Sequence, residues 1–65
     1  MTKQEAIIEM QKKAKIMHTS FSPWEWITLK GGEFLFEDGY TVDLDLFWLD
    51  HQGEEWEIGW DYFPE

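Results

Sequence analysis

The residue order predicts a small α+β domain, an N-terminal helix packed on a small antiparallel β-sheet of three to four strands. Three observations predict it. Apolar residues recur at helical spacing near the N-terminus, at Ile7, Met10 and Ala14 with Ala6 beside them. Short β-branched and aromatic runs follow, separated by glycine turns. Sixty-five residues make one domain, 1–65, and without cysteine no disulfide supplements its core.

Each element has its own local signal. Thr2-Lys3-Gln4-Glu5 reads as a capping box, in which Thr2 accepts from the Glu5 amide and Glu5 reaches back to Thr2. Lys12 and Lys13 suit the carbonyl end of the helix dipole, so the helix is expected from about 3 to 13. Lys15-Ile16-Met17-His18 is a short β-prone run and the expected first strand. Ser22-Pro23-Trp24-Glu25 predicts one helical turn or a tight corner, with Pro at a permitted first helical position. Trp26-Ile27-Thr28-Leu29 and Glu33-Phe34-Leu35-Phe36-Glu37 flank Gly31-Gly32, which supplies the positive φ angles of a tight hairpin. Asp38-Gly39 is a second turn signal. Beyond it, Val42 to Leu46 alternates like a strand, yet Asp43 equally suits the cap of a short helix over Leu44 to Leu49. Gln52-Gly53 marks a break. Trp56, Ile58 and Trp60 then alternate as in a closing strand, weakened by Gly59.

Charge is divided unevenly. Fourteen acids against five lysines give a net charge of −9. Residues 1–30 carry five Lys and three Glu, for +2, and the remainder carries −11. From Glu33 to Glu65 there are eleven acids and no Lys or Arg, interleaved with aromatic residues. Such a chain is repelled by anionic membranes and duplex nucleic acid and attracted to basic surfaces. No apolar run approaches the roughly 18–20 residues of a membrane span, and the N-terminus lacks the apolar core of a secretory signal. A complete, cytoplasmic, soluble protein is the expectation, and the absence of cysteine fits a reducing compartment. Twelve aromatics, five of them Trp, are the expected supplement to a small core. Dimerisation is another way to cover apolar surface.

Catalytic signals are weak beside their structural alternatives. A nucleophile relay would need Ser20 or Ser22 oriented by His18, with Glu25 behind it, and nothing in the spacing requires that. His18 reads better as a strand-end residue satisfied by a backbone group. An acid pair for glycoside chemistry needs a cleft that a chain this short rarely builds. An EF-hand loop starting at Asp43 would place Trp48 where Gly is needed, so no metal site and no cofactor is expected. Most aromatics must be core, with one or two Trp facing a partner, since interfaces favour them. The acidic run is harder to reduce to a solvated face, because self-repulsion costs stability in a domain with little to spare.

The positions Glu5-Ala6-Ile7, Met10, Lys15-Ile16, His18, Phe21-Ser22, Glu25-Trp26, Phe36-Glu37-Asp38-Gly39, Phe47-Trp48, Trp56 and Gly59-Trp60 carry a resemblance. In them the chain resembles a group of short, mostly uncharacterised phage and prophage proteins of gut-type bacteria. Its first half also resembles, more distantly, the fold of small phage proteins that inhibit Thoeris defence. The closer resemblance implies a short second helix near 43–50. That group usually has Gly where this chain has Lys13, so the helix exit either differs or holds a non-Gly residue under strain. It also tends to place bases after the Phe-Trp pair, where this chain has Leu49-Asp50-His51.

The expected function is therefore a non-enzymatic anti-defence protein. It would bind and inhibit a basic nucleic-acid-handling host effector, such as a CRISPR nuclease, without binding nucleic acid itself. The candidate partner-binding residues are Asp38, Asp43, Asp45, Asp50, Glu54, Glu55, Glu57 and Asp61, with Trp56 and Trp60. The alternative is a sponge for a nucleotide immune signal, using Lys12, Lys13 and Lys15 with Trp24 or Trp26 stacking on a base. A third reading is a homodimeric structural adaptor closed through exposed Trp.

Overall fold

The first helix, α1 (Lys3–Gln11), starts at the expected capping box. Glu5 N–H donates to Thr2 Oγ1 at 3.2 Å, and Thr2 N–H to Glu5 Oε1 at 2.8 Å. In the computed structural model, which describes residues 1–64, Glu65 lies outside the described residues. The helix stops two residues before the expected 13 because Lys13 turns left-handed, with φ 73°. Ala14 N–H then reaches back to Glu9 O at 3.1 Å, and Lys13 N–H to Met10 O at 2.9 Å. These are the two bonds of a Schellman exit, with Lys in the position that favours glycine.

Five strands follow where three to four were expected: β1 (Ile16–His18), β2 (Ile27–Lys30), β3 (Glu33–Phe36), β4 (Thr41–Asp43) and β5 (Trp60–Tyr62). They form one antiparallel sheet in the order β4-β3-β2-β1-β5. Gly31 and Gly32, at φ 60° and 83°, close the β2–β3 hairpin with Lys30 opposite Glu33. The Ser22–Glu25 segment is the tight corner, held by Glu25 N–H to Ser22 O and Ser22 N–H to Glu25 Oε1. Both readings of 42–49 are correct in part. Thr41–Asp43 is a strand, and Asp43 then caps a second helix, α2 (Leu44–Asp50).

The closing strand begins later than the alternation of Trp56, Ile58 and Trp60 implied. Glu54–Trp56 forms a 3₁₀ turn, and Gly59 at φ 92° reorients the chain before Trp60. Ala6 and Met10 of α1, Phe47 of α2, and Ile16, Ile27, Phe34 and Trp60 of the sheet form the buried core. Both helices thus pack on one face of the sheet. Phe34 meets Phe47 edge-on at 4.8 Å, and Trp48 meets Trp60 at 5.8 Å, so aromatic contacts fill much of the space between the layers. No helix among the described residues is long and apolar enough to cross a membrane.

Candidate interaction surface

Five of the eight candidate acids, Asp45, Asp50, Glu54, Glu55 and Glu57, emerge from two segments close in the chain, α2 and the 54–57 turn. In α2, Leu44, Phe47 and Trp48 pack inward, which leaves Asp45, Leu46, Leu49 and Asp50 exposed. Asp43 is engaged as the N-cap, its Oδ2 accepting from Asp45 N–H at 3.0 Å and Leu46 N–H at 3.3 Å. At the other end, His51 Nδ1–H donates to Phe47 O at 2.7 Å while its ring stacks on Phe47 at 4.0 Å.

The 54–58 backbone is anchored from below by His18, which is 1% exposed. Its Nδ1 accepts from Ser20 N–H at 3.0 Å, so the ring proton sits on Nε2. Nε2–H is shared between the carbonyls of Glu55 and Ile58, each at 2.8 Å. Trp60 Nε1–H adds a bond to Trp56 O at 2.8 Å. The carbonyls point inward, and Glu54, Glu55 and Glu57 stay exposed. The residues of the conceivable relay are thus otherwise engaged: His18 with backbone groups, and Glu25 with the Ser22 amide.

The predicted acids do not form one continuous face. Asp43 and Asp61 lie on β4 and β5, the opposite edges of the sheet. Asp38 and Asp61 accept from the neighbouring amides of Tyr40 and Tyr62, at 2.9 and 2.8 Å. Glu57 stands 4.0 Å from Lys3, at the limit of ion-pair distance, and its own side chain is exposed, so the pair contributes little. Asp45, Asp50, Glu54 and Glu55 have no cation within ion-pair distance among the described residues. Nor, among those residues, does any group of three His, Asp or Glu converge as metal ligands would.

The tryptophans need one correction. Trp60 is 1% exposed and belongs to the core, because its β5 position faces the helices; it cannot contact a partner. Trp56 is half-buried, with its ring 4.3 Å from His18 and 4.5 Å from His51.

The alternative lysine set is only partly assembled. Lys13 and Lys15 line a recess of about 330 Å³ with Ala14, Tyr62 and Phe63. Lys12 is diverted to Glu9 at 3.2 Å, and Lys15 lies 4.7 Å over the Trp26 ring, the face a base would need. Trp24 is 66% exposed and takes no part in the recess. Tyr62 O–H donates to Glu9 Oε1 at 2.7 Å. That bond, then Lys12, holds the Glu9 carboxyl below its ordinary value, and the same bond raises the Tyr62 phenol.

No family model, curated protein or solved structure matches this chain. The sequence did not point to the exposure of Leu46 and Leu49. Its signal was available in the helical spacing of residues 44–50, once Phe47 and Trp48 are assigned to the core.

Proposed function

We propose that the chain is a small, non-enzymatic anti-defence protein of phage type. It binds a basic nucleic-acid-handling protein of the host cytoplasm, such as a CRISPR nuclease, through its acidic C-terminal half. One observation carries the reading: Asp45, Asp50, Glu54 and Glu55 are exposed without a cation in ion-pair range among the described residues, on backbone tied down by Asp43 and His18. Carboxylates on a fixed scaffold meet a phosphate-binding groove with little ordering cost, and their field accelerates encounter. The charge partition and the resemblance to short phage proteins support the same reading.

The experiment is a pull-down from nuclease-treated bacterial extract, eluted by a salt gradient and read by mass spectrometry. A basic nucleic-acid-binding protein released at moderate salt is expected. The triple variant Glu54→Lys, Glu55→Lys, Glu57→Lys should lose it while keeping the wild-type circular dichroism spectrum. Undiminished capture by that variant would refute the reading.

The recess at Lys13 and Lys15 favours one second reading, a nucleotide sponge. Against it stand the net charge of −9 and the Glu9 carboxylate hydrogen-bonded to Tyr62, one of the lining residues. Thermal stabilisation by a cyclic nucleotide would favour the sponge, and no shift across a broad panel would exclude it.

A further inference from the structure

The outward face of α2 is not simply acidic. Leu46 and Leu49 are 57% and 64% exposed, and their spacing of three places them side by side on the helix. Asp45 lies four residues before Leu49, and Asp50 four after Leu46, so a carboxylate flanks the apolar pair on each side. Single exposed leucines are ordinary. Two adjacent ones bordered by carboxylates that have no cation within ion-pair distance among the described residues form a surface of definite chemistry. No packing demand explains them, since Leu44, Phe47 and Trp48 already supply the inward face.

We infer that this ridge is the apolar anchor of the docking surface, and that it takes an amphipathic segment whose apolar stripe is bordered by Lys or Arg. The inference rests on the acidic-surface reading above and adds the shape of the complementary element. Charge decides the occupant. A basic segment supplies cations to Asp45 and Asp50, while its apolar stripe removes Leu46 and Leu49 from water. A second copy of the chain is a poor occupant. In a two-fold contact the helix meets itself, which brings Asp45 and Asp50 against their own equivalents, between molecules each of charge −9.

The probes are two synthetic peptides of identical Lys/Leu composition, one patterned as an amphipathic helix and one scrambled. Binding is followed by calorimetry across a salt series. The patterned peptide is expected to bind at least about tenfold more tightly, as burial of two half-exposed leucines allows. The double variant Leu46→Ser, Leu49→Ser should erase that preference yet keep the salt dependence. The variant Asp45→Asn, Asp50→Asn should instead lower the salt slope for both peptides. Equal binding of both peptides, unaffected by the leucine variant, would overturn the inference and leave the acidic-surface reading intact. No binding of either peptide would overturn both. A dimer of the free protein that dissociates in the leucine variant would assign the ridge to a second copy and also overturn the inference. Wild-type thermal stability of each variant, expected because both leucines point outward, verifies that its fold is intact.

Discussion

Replacing His18 with Phe isolates what holds the acidic turn in place. Phe keeps an aromatic ring against Trp56 and Trp60, whose centroids lie 4.3 and 4.6 Å from the imidazole. It strands three backbone groups, the carbonyls of Glu55 and Ile58 and the amide of Ser20. A buried polar group left unpaired costs about 1–3 kcal/mol. All three residues are otherwise exposed, so water reaches part of this backbone and the low end applies, giving about 3 kcal/mol in all. A domain of this size has roughly 3–10 kcal/mol of stability, and each kcal/mol moves Tm by about 4–8 °C. His18→Phe should therefore lower Tm by roughly 12–24 °C. His18→Gln, whose amide can still donate toward the carbonyls, should recover part of the loss. Thermal unfolding followed by circular dichroism and tryptophan fluorescence reads both variants. A His18→Phe Tm within about 2 °C of wild type would show that these bonds do not anchor the 54–58 segment.

Three further outcomes follow from the backbone and from the α1–β5 contact. Gly59→Ala combines a left-handed φ of 92° with a Cβ 3.0 Å from both His18 Nε2 and Thr19 Oγ1, whereas Gly39→Ala meets no atom within 4 Å. Urea titration should show a loss of at least about 2 kcal/mol for the first and about 1 kcal/mol for the second, and equal losses would refute the steric part. Lys13→Gly removes a side chain from the left-handed exit of α1 and should raise stability by about 0.5–1 kcal/mol; a lower Tm would contradict the strain assigned there. The Glu9–Tyr62 bond should support the fold over a bounded pH range. A lowered carboxyl gives stability above its ordinary 4.5 that is lost as pH falls through the folded value. A raised phenol gives stability below its ordinary 10.0 that is lost as pH rises through the folded value. Against wild type, Tyr62→Phe should reduce the fall in Tm on the acid side and lessen it on the alkaline side. Parallel profiles would show that the bond contributes nothing.

Much of the fold was legible because its signals are local. The Thr2–Glu5 box, the Gly31-Gly32 hairpin, the Asp38-Gly39 turn and the Asp43 cap each depend on hydrogen bonds or φ angles within a few residues. Residue type and spacing are enough to specify them. Sequence patterning was less informative where local preferences competed. Trp56, Ile58 and Trp60 alternate like a strand, but the 3₁₀ turn and Gly59 divide them among three environments, half-buried, 65% exposed and core.

The candidate surface divides in the same way. The sequence by itself determined the α+β class, the N-terminal helix, the hairpin and the concentration of unbalanced acid after residue 30. Tertiary structure alone decided which side chains that charge accompanies. Trp24 and Trp60 share a residue type, yet one is 66% exposed and the other is core, because only Trp60 sits on a strand face covered by the helices. His18 acquires its role from carbonyls 37 and 40 residues away. Leu46 and Leu49 stay exposed because Phe47 and Trp48 claim the inward side of α2. Such outcomes depend on which distant groups compete for the same interior volume and the same hydrogen bonds, and folding settles that competition for the whole chain together.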